Sequence, residues 1–457
     1  MSGSGTPIAY APTEGLSYDP SEARYWDEDA LRSEVVRAFE ICHGCRMCFK
    51  FCDSFPLLFR ALDAQAEPDP RALGPEVTQA VADACFQCKL CEVQCPYTPR
   101  EKHAFQLDFP KLVHRIKAQR AKRRTPSLRD RLLGDPDLAG RAARASWGLA
   151  NALNRVAAHR WFLEKVLGVH RAKLLPEFAA SPFTRWARSA GKLASAPPAE
   201  VVLFPTCYVE NNEPAIGRDT VEVLERNGLG VRCVAGLACC GMPAWEHGDL
   251  ETLRARAQRT LDVLEPFVAA GSKVVAINPT CTLMLRREWP ELLEGRDRER
   301  ARALAAAVVD PSELLWSIRD EPRFAREVRT KPVGPIAYHA PCHLRAQAAG
   351  LRARDLFKRL FGAQVVPVIE CCGHDGTYAM TVEGYEPSQR AGARAFEGMR
   401  APQASTWSTD CPLAAIQFQQ HAGTKPLHPM SVLARAYRGE PFPPAPEPGP
   451  RAQEGQP

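Results

Sequence analysis

Short apolar runs alternate with helical patterns along the second half of the chain. Segments such as VVLFPTC and KVVAINPTC are brief and rich in valine, which is typical of strands buried in a parallel sheet. Between them lie longer stretches with apolar residues at helical spacing, for example IGRDTVEVLERNG. Strands that alternate with helices of this length predict an α/β fold with parallel sheets.

This pattern occurs twice, at 199–330 and at 331–437, and the two copies match element by element. In each copy a cysteine ends the first strand, a Cys-Cys-Gly motif follows the second, and another cysteine ends the third. Because ligands of parallel sheets lie at the carboxyl ends of strands, each copy is predicted to be a domain with a metal site. The candidate ligands are Cys207, Cys239, Cys240 and Cys281 in the first copy, and Cys342, Cys371, Cys372 and Cys411 in the second.

The first half of the chain is patterned as helices. Residues 25–110 carry apolar residues at helical spacing around two groups of cysteines, which predicts a small helical module. Residues 111–198 predict a basic helical connector, since 100–192 contains 21 Lys and Arg against 7 Asp and Glu. The segment 438–457 is rich in proline and polar residues and is expected to be a disordered tail.

Composition narrows the class of protein. The 457 residues, 45% of them hydrophobic, exceed what one core can use and imply several domains. The net charge of +6 gives no indication of nucleic acid, and no motif that reads bases is present. The first twenty residues lack a basic segment followed by an apolar one, so we expect the 17 cysteines to be reduced thiols in the cytoplasm. No apolar run approaches the roughly 18 residues of a transmembrane helix, and none is expected.

Eight cysteines between 42 and 95 form two runs with the spacing C-x2-C-x2-C-x3-C. Three close thiolates can wrap one face of a [4Fe–4S] cluster, while the fourth points to the other cluster. Asp53 stands where the first run would usually have proline, which removes no ligand. Zinc is a weaker alternative because it prefers paired spacings with four ligands in total. The expected ligands are Cys42, Cys45, Cys48 and Cys95 for one cluster, and Cys85, Cys88, Cys91 and Cys52 for the other.

A twin-cluster ferredoxin module followed by two Cys-Cys-Gly domains resembles the iron–sulfur (C-type) subunits of anaerobic glycerol-3-phosphate dehydrogenases over about residues 25–437. It is similar also to the iron–sulfur subunits of glycolate and lactate oxidases and to fused forms of the C and B subunits of heterodisulfide reductase. The resemblance implies a non-catalytic electron-transfer subunit of an oxidoreductase. Electrons would come from a flavoprotein dehydrogenase of the glycerol-3-phosphate or 2-hydroxy-acid type and pass through the Cys-Cys-Gly domains toward quinone or another redox protein.

The family pattern has one further cysteine in each copy, and here Met284 and Ala414 occupy its place. Four thiolates suit a cubane cluster or zinc better than the five-cysteine clusters used in disulfide chemistry, so thiol–disulfide reduction is the less favoured alternative. A second alternative is electron supply to a peroxide-reducing protein of the rubrerythrin type. In a third, the paired cysteines are simply buried as small hydrophobic residues, as Cys233 is expected to be.

Four histidines lie beside these cysteines and are candidates for hydrogen bonds to thiolates, for ligation or for proton transfer to a quinone. The alternative for each is a histidine hydrogen-bonded in a polar turn. No glycine-rich fingerprint or phosphate loop follows a strand, so neither flavin nor nicotinamide is expected to bind. The four are His43, His339, His343 and His374.

Apolar and aromatic residues recur at helical spacing among the arginines of the connector. This composition suits an amphipathic helix that lies on the inner face of the cytoplasmic membrane. A helix that packs on its own protein, with a solvated basic face, is the commoner origin of such a pattern and is the favoured interpretation. The residues are Trp147, Leu149, Leu153, Val156, Trp161, Phe162, Val166 and Leu167.

Overall fold

Two parallel sheets form the frame of the C-terminal half, which confirms the predicted α/β fold with two repeated Cys-Cys-Gly domains. The computed structural model describes residues 7–124 and 127–442. The strands are β1 (Val201–Phe204), β2 (Val231–Cys233), β3 (Lys273–Ala276), β4 (Val308–Val309), β5 (Ile336–His339), β6 (Val365–Val368) and β7 (Thr406–Thr409). The first sheet has the order β2-β1-β3-β4, and the second has the order β6-β5-β7.

The first strand of each repeat lies in the centre of its sheet. Val201 of β1 pairs with Val231 on one side and with Lys273 on the other, and β5 pairs in the same way with β6 and β7. All four residues of β1 and of β5 are buried. The carboxyl ends of three neighbouring strands therefore meet at one edge in each sheet, directly before the predicted cysteine ligands.

Helices cover both sheets. Those of the first repeat are α12 (Thr206–Asn211), α13 (Pro214–Arg226), α14 (Met242–His247), α15 (Leu250–Ala269), α16 (Pro279–Leu283), α17 (Trp289–Leu292), α18 (Gly295–Ala307) and α19 (Pro311–Ser317). Those of the second are α20 (Cys342–Ala346), α21 (Arg352–Phe361), α22 (Val382–Arg400), α23 (Pro412–Ala422) and α24 (Pro429–Arg438). A π-helical turn at Met284–Glu288 joins α16 to α17. The last helix, α24, packs against α13 and so ties the two repeats together.

The N-terminal module is helical, as its pattern predicts. Its helices are α1 (Ala23–Trp26), α2 (Glu28–Cys45), α3 (Ser54–Asp63), α4 (Pro75–Asp83) and α5 (Leu90–Gln94). The Asp27 side chain accepts a hydrogen bond from the Ala30 amide and caps α2. Leu58 and Leu62 of α3 are completely buried in the module's core, which also contains Cys85, Cys88 and Cys91.

Six helices follow the module: α6 (Phe109–Arg123), α7 (Leu128–Leu133), α8 (Pro136–Ala145), α9 (Leu149–Leu153), α10 (Ala157–Leu167) and α11 (Phe183–Ser189). Leu112 and Ile116 of α6 pack in the core of the module. Within the described ranges, no helix is long and apolar enough to cross a membrane. Residues 443–457 of the predicted disordered tail lie outside the described residues. The domain limits given above stay predictions.

Candidate metal centres

One cavity at the surface of the module is lined by four cysteines that the spacing assigns to the same cluster. We call this set the outer site: Cys42, Cys45, Cys48 and Cys95. Burial, together with the neighbouring thiols of Cys95 and Cys45, raises the pKa of the Cys48 thiol to about 12. Thiols that converge in this way, and whose negative charges oppose one another, are the donor set of a [4Fe–4S] cluster, so these residues fit that group.

The other four cysteines of the module lie deeper. We call them the inner site: Cys52, Cys85, Cys88 and Cys91. Burial raises the pKa of the Cys91 thiol, and the nearby thiols of Cys85 and Cys52 act in the same direction. Cys52 comes from the first run and the other three from the second, so the chain brings together the crossed set that the spacing predicts.

Left-handed residues bend the loops between the cysteines. Arg46 has φ 55°, and Gln87 and Lys89 both have φ 59°, a conformation that costs a side-chain-bearing residue energy unless its surroundings enforce it. Gln87 and Lys89 stand on either side of Cys88. These bends turn successive cysteines of the run toward a common point.

In the first repeat, four thiols form a continuous chain of contacts. Cys239 hydrogen-bonds to Cys207 and to Cys240, and Cys240 also bonds to Cys281. The hydrogen bonds from Cys207 and Cys240 lower the pKa of Cys239 well below its usual value, although burial opposes this. The first repeat site, Cys207, Cys239, Cys240 and Cys281, is thus the set predicted from the strand ends.

The second repeat site contains Cys342, Cys371, Cys372 and Cys411. Burial raises the pKa of the Cys342 thiol, as do the buried carboxyl of Asp375 and the other three thiols. Cys342, His343 and Asp375 place three ligand atoms within 4.8 Å of one another, which is close enough for one metal ion. Asp375 was absent from the sequence-based candidates. The only feature of the sequence that could have indicated Asp375 as a ligand is its position four residues after Cys371.

The glycine of each Cys-Cys-Gly motif has a steric role. Gly241 and Gly373 have φ values of 84° and 75°, in the left-handed region that favours glycine. A Cβ atom on Gly373 would lie 2.0 Å from the carbonyl oxygen of Ser388. In the second repeat the motif therefore combines two adjacent thiols with a turn that brings the chain close to α22.

The inner site touches the second repeat site directly. The Cys88 thiol hydrogen-bonds to that of Cys371, and Cys371 packs in the core of the module. His343 connects the same region to the first repeat: its Nε2 lies 3.0 Å from the carbonyl oxygen of Gln87, and its Nδ1 lies 3.0 Å from Oγ1 of Thr280. The inner site and both repeat sites are therefore linked through these three contacts.

The other predicted histidines differ in their surroundings. His43 pairs with Asp63 at the surface, with Nε2 2.8 Å from Oδ1. His339 is buried and hydrogen-bonded to Thr409 and to the carbonyl oxygen of Glu370, the arrangement of a structural histidine. His374 is also buried, and within the described part of the chain neither of its ring nitrogens has a hydrogen-bond partner.

Apolar residues fill the place of the fifth cysteine in both repeats. Met284 and Ala414 are buried in separate hydrophobic clusters. Cys233 lies in β2 and is buried in a third cluster, away from both thiol sets. Each repeat thus offers four thiols, and Cys233 fits its expected place as a small core residue.

The comparisons with known proteins agree with these motifs. A family model described as a cysteine-rich domain matches residues 201–286 and 336–419. The C subunit of anaerobic glycerol-3-phosphate dehydrogenase from Escherichia coli is 29% identical over 70% of this chain and 81% of its own. The glycolate oxidase iron-sulfur subunit of the same organism is 26% identical over 78% of this chain and 84% of its own length. Lactate utilization protein A of Halalkalibacterium halodurans is 31% identical over 40% of this chain and 73% of its own length.

Proposed function

This chain belongs to the family of cysteine-rich-domain proteins that includes these iron–sulfur subunits, and on that premise we propose that it relays electrons between a flavoprotein dehydrogenase and a quinone. Its membership of this family supports the role of an electron-transfer subunit of an oxidoreductase. The dehydrogenase would act on glycerol 3-phosphate or a 2-hydroxy acid, as the names of the relatives indicate. The contact between Cys88 and Cys371 carries the proposal, because it joins the module to the second repeat.

The cysteine sites lie in an order that suits a relay. Met47, Phe49 and Val93 expose apolar side chains around the outer site, where a partner protein can approach. The inner site is buried beneath it. The pKa of the Cys91 thiol is raised both by Cys48 of the outer site and by Cys52 of the inner site, so the two sites are close. Electrons would enter at the outer site and pass to the inner site, which the contact between Cys88 and Cys371 joins to the second repeat. Bound [4Fe–4S] clusters would supply the one-electron redox chemistry.

The connector offers a surface for a membrane. Trp147 is 96% exposed, and Leu149, Trp161, Phe162 and Val166 are each at least half exposed. A solvated basic face does not account for aromatic side chains left in water, whereas an interfacial segment does. We therefore place this apolar face on the inner surface of the cytoplasmic membrane, beside the quinone pool.

The alternative of disulfide reduction receives less support from the structure. Each repeat brings four thiols together, and the fifth position is filled by a buried Met284 or Ala414. A cluster that requires five thiolates would lack a ligand in both places. Ordinary cubane clusters or zinc need only the four that are present.

The experiment begins with iron, sulfide and zinc analysis of anaerobically purified protein, followed by low-temperature EPR after reduction. About eight irons with two interacting cubane signals would support the module as proposed, and about twelve to sixteen would extend the relay into the repeats. Reduction is then repeated with the flavoprotein partner and its substrate in place of dithionite. Absence of iron after reconstitution, or of reduction by any flavoprotein dehydrogenase of this class, would overturn the proposal.

A further inference from the structure

A cleft of about 980 Å³ lies where the module, the connector and both repeats meet. Its walls come from all four parts of the chain and include Leu57, Leu138, His247 and Tyr378. We propose that this cleft binds the head group of a quinone and is the site where electrons leave the protein. The inference rests on the proposed function and adds the position and residues of the acceptor site.

The wall of the cleft is close to the inner site. Asp53 and Ala84 line the cleft, and each is directly adjacent in sequence to an inner-site cysteine, Cys52 or Cys85. The Tyr378 ring packs on Phe86 with 5.0 Å between the ring centroids. An acceptor in the cleft would therefore be separated from the inner site by little more than one layer of side chains.

The charges of the cleft favour an uncharged ligand. Its lining carries basic and acidic side chains in nearly equal number, and several of them form ion pairs, so that neither sign of charge dominates. The pairs, with their shortest distances, are Arg120 with Asp83 at 2.6 Å, Arg129 with Glu383 at 3.1 Å, Arg256 with Asp135 at 3.5 Å and Asp53 with Arg390 at 2.7 Å. Leu57, Leu138 and Tyr378 supply the apolar part of the wall that a neutral quinone ring requires, beside charged groups of both signs.

The rim of the cleft adjoins the apolar face of the connector. Thr381 lines the cleft and pairs with Val169, just beyond the end of α10. The exposed Val382 donates its amide hydrogen to the carbonyl oxygen of Gly168 at 2.9 Å. A molecule with its ring in the cleft can thus extend a hydrocarbon tail along α10 toward the membrane, which distinguishes a lipid-soluble quinone from a water-soluble acceptor.

Hydrogen-bonding groups lead from the cleft toward the interior. His247 Nε2 lies 3.2 Å from Oγ1 of Thr377, and Glu246 accepts a hydrogen bond from the Thr377 amide at 2.8 Å. Reduction of a quinone consumes two electrons and two protons and converts both carbonyl groups to hydroxyls. The electrons originate in the flavoprotein and arrive singly from the inner site. The two protons come from water in the open cleft, and His247 in its wall can pass them to the quinone oxygens.

Binding is measured with 2-heptyl-4-hydroxyquinoline N-oxide, a fluorescent quinone analogue, and the cluster-loaded protein. Thr252→Trp fills the cleft from α15, and His247→Leu removes a hydrogen-bonding group. Saturable quenching is expected for the native protein, with affinity at least about tenfold weaker in both variants, the loss expected for one buried hydrogen bond or an obstructed site. Tyr385→Phe is the control, because Tyr385 stacks on His170 outside the cleft.

The same samples separate this inference from the proposed function. Cluster reduction by the flavoprotein is followed by EPR, and quinol formation from a short-chain quinone is followed by absorbance. Two results would overturn the quinone site and leave the relay intact. In both the clusters are reduced by the flavoprotein, but either the two cleft variants bind the analogue as tightly as the native protein, or the native protein shows no quenching. Failure of cluster reduction with normal quenching would overturn the relay instead.

Discussion

The ammonium group of Lys89 lies 2.5 Å from a carboxylate oxygen of Glu288, and both side chains are buried. Lys89 stands between Cys88 and Cys91 of the inner site, and Glu288 ends the π-helical turn after Cys281. Burial opposes the charge on Lys89, but the carboxylates of Glu288 and Glu92 outweigh it and raise the pKa of Lys89. The pair is therefore ionised at neutral pH and fixes the module against the first repeat.

We expect Glu288→Gln to destabilise the protein strongly. It leaves the Lys89 ammonium buried with weaker compensation, and breaking a buried ion pair on one side costs about 3–5 kcal/mol. The urea midpoint of the anaerobic, cluster-loaded protein measures the loss. The matched control is Glu291→Gln, since Glu291 pairs with Lys111 at 2.9 Å near the surface, where the cost is about 1 kcal/mol or less. Equal losses in the two variants would contradict the buried pair as a structural tie.

Cys371→Ser is expected to change the EPR signal of one cubane in the module and leave the other unchanged. Cys371 contacts Cys88 of the inner site but none of the four outer-site cysteines by hydrogen bond within the described residues. Cys239→Ser in the first repeat is the matched control, because its thiol bonds to Cys207 and Cys240 instead. If Cys371→Ser left both cubane signals as in the native protein, the contact would play no part in the relay.

The sequence alone predicts the parts of these sites that depend on local spacing. Each run of four cysteines lies within a few turns of chain, and the repeat places each Cys-Cys-Gly motif after a strand. Since strand ends of a parallel sheet share an edge, the four cysteines of each repeat meet as predicted. The crossed position of Cys52 is also set by the spacing of the runs.

Contacts between distant segments could not be predicted. Lys89 and Glu288, or Cys88 and Cys371, come together only because the module packs on both repeats, and no local pattern in the sequence reveals that docking. The exposed aromatic residues of the connector, Trp147 above all, show the same limit. Their helical spacing fits either a packed or an interfacial helix, and only the packing of the neighbouring elements decides which face is left open.

Stability should fall with acid as buried histidines take up protons. Burial lowers the pKa of His428 to about 4. Its Nδ1 accepts a hydrogen bond from the Met430 amide, and its Nε2 lies 3.2 Å from the carbonyl oxygen of Ile277. In the unfolded chain the His428 imidazole has a pKa of about 6.5 and binds a proton below that pH, whereas in the folded protein it stays neutral down to about pH 4. The free energy of unfolding therefore decreases from about pH 6.5 to 4.

His428→Asn tests this site. At pH 7.5 we expect a loss of about 1–2 kcal/mol in the free energy of unfolding, because Asn cannot keep both hydrogen bonds. Between pH 6.5 and 5 the variant should lose less stability than the native protein, by at most about 1.4 kcal/mol per pH unit. Urea unfolding at several pH values measures both. An identical pH slope in variant and native protein would show that His428 does not contribute.

Removing the two most exposed connector tryptophans should release the protein from membranes. Trp147→Ala with Trp161→Ala takes away much of the apolar area available to a bilayer, and we expect at least about tenfold weaker binding to phosphatidylglycerol vesicles. Co-sedimentation measures it. Val333→Ser is the control, since Val333 is 82% exposed but lies outside the connector. Equal binding by the native protein and the double variant would place the membrane contact elsewhere or exclude it.

Phe49→Glu should block entry of electrons from the partner without changing the cysteine sites. Phe49 directly follows Cys48 and is 59% exposed, and together with Met47 and Val93 it forms the apolar rim of the outer site. A carboxylate there must be desolvated when a partner docks, which opposes the close approach that electron transfer needs.

We therefore expect reduction by the flavoprotein to slow by at least about tenfold, the effect of about 1.4 kcal/mol at such a contact. Reduction by dithionite and the EPR spectrum should match those of the native protein, because the side chain is exposed and supplies no ligand. Val333→Glu places the same charge on another exposed apolar position and should leave the rate unchanged. A native rate in Phe49→Glu would mean that electrons enter away from the outer site, and the order of the relay would have to be reversed.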